Sequence, residues 1–116
     1  LVHAHPSDTV RDAIQIMTKY GVSQLPVLTA EPPVVIGEVI GALEERSLLE
    51  HVFSGDAQMT DPVEKFIGAP LGLIGMHESI GDARSALAPA DALLVIEDGK
   101  PAAVVTRHDL LTFLSD

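Results

Sequence analysis

The sequence predicts an α/β fold made of two β-α-β-β-α repeats packed about a pseudo-two-fold axis, and three observations lead there. The order strand, helix, strand, strand, helix can be read twice along the 116 residues, with a repeat of about sixty residues. Residues correspond as well as elements: Thr9-Val10-Arg11-Asp12-Ala13 with Ser79-Ile80-Gly81-Asp82-Ala83, Leu25-Pro26-Val27-Leu28 with Leu93-Leu94-Val95-Ile96, and Ser47-Leu48-Leu49 with Asp109-Leu110-Leu111. Each repeat also closes where a short apolar run changes abruptly to helical spacing, most clearly at Val104-Val105-Thr106-Arg107. Two copies of such a unit bury both sheets face to face and leave equivalent clefts between them.

The first repeat is expected over residues 1–53. Leu1 to His5 reads as a strand end, turned by Pro6-Ser7-Asp8. A helix follows, because Val10, Ala13, Ile14 and Met17 fall at i, i+3, i+4 and i+7, with Thr9 as its cap and Gly21 as its stop. Leu25 to Leu28 is a short buried strand. The prolines in Thr29 to Pro33 impose a loop, and Val34 to Leu43 resumes as an apolar strand. A second helix begins at Glu44-Glu45, where acidic residues suit the positive end of the dipole, and Leu48, Leu49, Val52 and Phe53 form its buried stripe.

Residues 54–68 form a connector, in which Met59 to Gly68 reads as a short amphipathic helix introduced by Thr60-Asp61-Pro62. The second repeat, 69–116, then starts the pattern again. Leu71 to Gly75 is a strand end, Ser79 caps a helix carrying Ile80, Ala83 and Leu87, and Ala92 to Ile96 is a strand. Asp98-Gly99 is a hairpin turn into Pro101 to Val105, and the last helix runs from Arg107 to Leu114.

Composition narrows the function. The 17 Asp plus Glu against 7 Lys plus Arg give a formal charge of -10, which repels nucleic-acid backbones and anionic membranes. The absence of cysteine excludes disulfides, thiolate metal sites and a cysteine nucleophile, and fits a cytoplasmic location. There is no apolar run of membrane-spanning length and no signal pattern at the start. Leu1 is not a natural start, so the chain is expected to be part of a longer one. No nucleophile with a base beside it is legible, which argues against catalysis within this chain. His3-x-His5 would point the same way on a strand. No other His, Asp or Glu stands at a ligand-like spacing from that pair, so the sequence alone sets a metal site aside. His51 and His77 read as surface residues.

The most informative corner is Thr106 to Asp109. Thr106 can cap the helix, the N–H groups of the first turn point outward, and Asp109 faces the same opening. A carboxylate there can accept both hydroxyls of a ribose. The same Ser/Thr-x-x-Asp spacing is also an ordinary capping motif, and it recurs at Thr9/Asp12 and Ser79/Asp82. On spacing alone both readings stand.

The double unit resembles a CBS-domain pair, or Bateman module, over essentially the whole chain. Its most specific mark is Val104-Val105-Thr106-Arg107-His108-Asp109-Leu110-Leu111. Gly21-Val22-Ser23-Gln24-Leu25-Pro26-Val27 and Asp61-x-Val63-x-Lys65-x-Ile67 are similar, in addition, to segments of the C-terminal regulatory region of bacterial cystathionine β-synthases. The resemblance implies an allosteric sensor of an adenosine compound, S-adenosylmethionine or AMP/ATP, with Thr106 and Asp109 on the ribose. Val22, Gln24 and Leu25 would border the adenine, Val104 would pack on the ring, and Arg107 or His108 would touch a ligand phosphate or carboxylate. Core packing accounts equally for Val22, Leu25 and Val104, and a surface position for Gln24 and His108.

The resemblance implies partners as well. A catalytic domain in cis, PLP-dependent if the parent is a cystathionine β-synthase, would lie outside this chain, and a homodimer is expected. The alternative function is a ligand-free dimerisation module. Val10, Met17, Leu48, Leu110 and Leu114 form the pool from which core and interface residues must come. Only one usable cleft is expected, because the first repeat carries Glu44 and Ser47 where the second has Thr106 and Asp109, and Glu44 would repel a phosphate.

Overall fold

The computed structural model describes residues 1–31, 33–79 and 92–115. By internal contacts the chain divides into two compact units, Val2–Pro70 and Leu71–Asp116, the latter together with Leu1. The elements are α1 (Val10–Tyr20), β1 (Gln24–Leu28), β2 (Val39–Glu44), α2 (Glu45–Ser54), β3 (Gly72–Gly75), β4 (Ala92–Glu97), β5 (Lys100–Thr106) and α3 (Arg107–Ser115). The helix expected after Ser79, with Ile80, Ala83 and Leu87, lies outside the described residues.

In the first unit α1 starts and stops on local chemistry. Thr9 and Asp12 form a reciprocal capping box, the Thr9 N–H donating to Asp12 Oδ2 at 3.0 Å and the Asp12 N–H to Thr9 Oγ1 at 3.1 Å. Gly21 ends the helix at φ 64°, a left-handed conformation that glycine adopts without steric cost. Val10, Ala13 and Met17 turn inward onto Leu25 and Val27 of β1, Leu43 of β2 and Leu48 of α2. This is the unit's core.

Three expectations are corrected here. The second strand begins at Val39 rather than Val34, since β1 ends at Leu28 and pairs no further than Val39. The preceding residues instead wind into a 3₁₀ turn, Ile36–Glu38, where the Glu38 carboxylate accepts from the Val35 N–H at 3.2 Å. Phe53 is not part of the α2 stripe: it is 83% exposed, and Leu48 fills the buried position.

The connector is the third correction, with no α-helix over Met59 to Gly68 but a single 3₁₀ turn at Val63–Phe66. Its backbone is committed elsewhere. The carbonyls of Asp61 and Met59 accept from the N–H groups of Val10 and Arg11 at 2.9 and 3.0 Å, and the Val63 and Glu64 N–H groups donate to Asp8 and Pro6. Gly68 and Ala42 exchange hydrogen bonds across β2. These long-range bonds satisfy groups that a helix would have paired internally.

The second unit holds a three-stranded sheet in the order β3-β4-β5, with β3 parallel and β5 antiparallel to β4. Ile74 and Leu93 are its buried centre, with Val95 and Val105 packed against them. Asp98 at φ 52° and Gly99 at φ 76° make the two-residue turn whose twist matches the strands it joins. The repeat is visible residue by residue. Gln24 pairs with Glu44 as Ala92 pairs with Thr106, and the register slips between Val27 and Leu28 as it does between Val95 and Ile96. Ala4 bridges Val27 in parallel, as Ile74 pairs with Val95.

Two outcomes test this packing. A Cβ on Gly41 would run into the Ile67 side chain and stand 2.5 Å from the Gly68 carbonyl oxygen, whereas one on Gly37 meets nothing within 4 Å. Gly41→Ala is therefore expected to cost about 1–3 kcal/mol in urea unfolding, and Gly37→Ala to be neutral or stabilising by up to about 1 kcal/mol. The backbone and then the hydroxyl of Thr9 hold the Asp12 carboxyl below its ordinary value, so Asp12 releases its proton more readily folded than unfolded. The melting-temperature gap between wild type and Asp12→Asn should be full above the ordinary aspartate range. It should shrink as pH falls through that range and vanish below the depressed folded value.

Candidate functional site

Each unit contains a strand that runs into a helix without an intervening loop, Glu44 into Glu45 and Thr106 into Arg107. The first N–H groups of a helix have no partner within it, so what meets them decides whether a junction can receive a ligand. At α1 the carbonyls of Asp61 and Met59 occupy the first two. At α2 the Glu45 N–H donates to the Ser23 carbonyl at 2.8 Å, and Glu44 makes no side-chain cap. The first two N–H groups of α1 and the first of α2 thus meet the chain's own backbone.

The start of α3 is different. The Thr106 N–H donates to Asp109 Oδ2 at 2.8 Å, the Thr106 hydroxyl donates to the same oxygen at 3.1 Å, and the Asp109 N–H lies 3.2 Å from Thr106 Oγ1. The capping reading of Thr106-x-x-Asp109 is thus correct. It leaves room for the other, because both bonds to the carboxylate end on Oδ2 and Oδ1 is left to accept from a ligand hydroxyl. Among the described residues no backbone carbonyl from the connector or a strand end covers the His108 N–H. Asp109, Arg107 and His108 are exposed and Thr106 is half-buried.

Val105 packs on the Ile74 and Leu93 side of the sheet, so strand alternation puts Val104 and Thr106 on the opposite side, Val104 half-buried. In the first unit Val22 is half-buried against the core, Gln24 is half-buried at the β1 end opposite Glu44, and Leu25 has no exposed surface at all. Leu25 is a core residue of its unit. Of the interface pool, Val10, Met17 and Leu48 are core residues too, while the side chains of Leu110 and Leu114 lie outside the described set.

The histidines divide. His77 and His108 are exposed, whereas His51 is half-buried, 3.5 Å from Asp56 Oδ2 and against the Phe66 ring. His3 and His5 meet Glu31, a neighbour that local spacing does not reveal because it lies 26 residues beyond His5. No described helix is long and apolar enough to cross a membrane.

Comparison with known proteins agrees with this architecture. An uncharacterized conserved protein from Pyrococcus horikoshii superposes with a TM-score of 0.78 at 22% identity, over 100% of this chain and 86% of its own. A crystallised CBS domain gives a TM-score of 0.82 at 21% identity, over 100% and 89%. CBSX2, crystallised in complex with AMP, gives 0.72 at 20% identity, over 99% and 87%. At these identities the likeness is one of fold. A sequence model of the CBS domain matches residues 1–54 and again 59–116. With almost every residue inside one match or the other, and the same register slip in both hairpins, the chain belongs to the CBS-domain family and consists of two CBS domains in tandem.

Proposed function

We propose that this CBS pair is a regulatory module that binds the adenosine part of a small molecule at Thr106 and Asp109, once per chain. The observation that carries the reading is the Thr106/Asp109 pair at the start of α3, a hydroxyl and an exposed carboxylate whose Oδ1 takes neither Thr106 bond, where the first unit has an uncapped Glu44 and the Ser23 carbonyl on the Glu45 N–H. CBSX2 supports the ligand class, being a CBS protein crystallised with AMP. The family pattern assigns Val22, Gln24 and Leu25 to the adenine and Val104 to the ring, and since Leu25 has no exposed surface it leaves Val22 and Gln24 as the first unit's contribution. Among these, Gln24 is the one with a polar side chain to read an edge.

Within the adenosine class we assign S-adenosylmethionine over AMP and ATP. The nucleotides bring two or more negative charges to a chain of formal charge -10, whereas S-adenosylmethionine brings two cationic groups against one carboxylate. Arg107 and His108 can receive that carboxylate. The segments 21–27 and 61–67 support a cystathionine β-synthase parent, in which this module would regulate, in the cytoplasm, a PLP-dependent catalytic domain lying outside this chain. The comparisons lead to the CBS family and no further in that direction.

Calorimetric titration checks the site. Asp109→Ala is expected to weaken the adenosine ligand by about 1.5–3 kcal/mol, and Ser47→Ala to leave it unchanged. Because Asp109 also caps α3, Asp12→Ala serves as the control: it removes a capping carboxylate of the same kind and should leave affinity alone. Two equal sites per chain, or normal binding by Asp109→Ala, would refute the assignment. AMP or ATP binding about tenfold tighter than S-adenosylmethionine would overturn the choice of ligand and leave the site standing.

A second reading, self-association, is favoured by a groove between α1 and α2 of about 210 Å³, lined by Ile14, Met17, Thr18, Glu45, Leu48 and Leu49. A second copy of the chain fits such an apolar surface. Sedimentation at high micromolar concentration should show a dimer, and Thr18→Glu, which puts a charge on the groove's exposed rim, should give monomer.

A further inference from the structure

His3 and His5 flank Ala4, whose N–H donates to the Pro26 carbonyl at 3.0 Å and whose carbonyl accepts from the Leu28 N–H at 2.9 Å. The segment is therefore extended beside β1. Ala4 is buried, and alternation sends both imidazoles to the other side. Glu31, in the loop after β1, reaches the same place. His5 Nε2 is 2.8 Å from Glu31 Oε1, His3 Nε2 is 3.8 Å from Glu31 Oε2, and the two Nε2 atoms are 3.2 Å apart.

The other nitrogen of His5 defines the tautomer. His5 Nδ1 lies 3.0 Å from the Leu28 carbonyl, which can only accept, so Nδ1 carries a hydrogen and a neutral ring presents Nε2 as a bare lone pair. That lone pair faces a carboxylate oxygen and a second imidazole nitrogen. Such a meeting is repulsive unless a further proton or a cation lies among the three.

We propose that His3, His5 and Glu31 form a binding site for a divalent transition-metal ion, zinc foremost. Zinc takes imidazole nitrogen and carboxylate oxygen at about 2.0–2.1 Å in a tetrahedron, whose ligand-to-ligand edges are then about 3.3–3.4 Å. The two Nε2 atoms at 3.2 Å and His5 Nε2 to Glu31 Oε1 at 2.8 Å lie near that edge, and one ligand atom from each of the three residues lies within 4.8 Å of the others. Three protein ligands leave the fourth position to water. The Leu28 carbonyl supplies the outer hydrogen bond that orients a metal-binding histidine. The histidine side chains are 18% and 24% exposed and Glu31 79% exposed, so the ion enters from the carboxylate side. Two imidazoles and one carboxylate suit zinc better than magnesium or calcium, which prefer all-oxygen sets.

Zinc titrated calorimetrically into the 116-residue chain should bind once, with magnesium giving no comparable heat. His5→Ala and Glu31→Gln should each weaken zinc by about tenfold or more, while His51→Ala, at a ring paired with Asp56 outside the cluster, should not. Glu31 is exposed, so Glu31→Gln leaves the fold intact, and zinc should raise the melting temperature of the wild type more than that of this variant. No saturable zinc binding would identify the cluster as a protonated imidazole–carboxylate pair only. Zinc binding of equal strength in wild type, His5→Ala and Glu31→Gln would place the ion elsewhere. Either result overturns the proposal.

Discussion

A strand that turns into a helix without a loop leaves the first N–H groups of that helix to be satisfied by whatever lies in front of them. Both CBS units meet this constraint, and they answer it differently. The first brings up the Ser23 carbonyl from the segment ahead of β1; the second folds Thr106 and Asp109 back on each other at the helix mouth. A closed start fixes the helix and ends its chemistry there. A start capped by side chains keeps a hydroxyl and a carboxylate oxygen at the helix mouth, the groups on which the proposed ribose contact rests.

The connector shows the same accounting of backbone groups on a larger scale. Its carbonyls close the mouth of α1, its N–H groups run to Pro6 and Asp8, and its end pairs with Ala42. Gly41 permits that close approach because a side chain there would strike Ile67 and Gly68. The connector is thereby part of the first compact unit, and Val63, fully buried, anchors it in the core.

Much of this was legible because it rests on chemistry confined to a few neighbouring residues. Thr9 with Asp12, Gly21, and Asp98-Gly99 each carry their conformation in their own side chains or in the lack of one. What was not legible depended on distant partners. Val34 to Glu38 is as apolar as a strand but has no strand beside it, Phe53 fits a helical stripe that Leu48 already fills, and Met59 to Gly68 has helical spacing while its backbone is engaged by residues some fifty positions earlier. The candidate site follows the same division. The Thr106/Asp109 pair is local and could be read, as could the lack of the same pair at Glu44 and Ser47. That Ser23 stops the first corner, that Leu25 is sealed within its core, and that Glu31 reaches His3 and His5 are facts of packing alone.

The Ser23 carbonyl on the Glu45 N–H has a consequence for how the module would signal. If the α3 corner alone receives ligand, as proposed, the occupancy of a chain follows a simple hyperbola in ligand concentration: graded, without threshold. Under that reading steepness would not arise within one chain, which would hold no second adenosine site to be coupled to the first. A switch-like output from such a module would have to come from association between chains. The dose–response curve of the whole assembly would then report how many chains it holds.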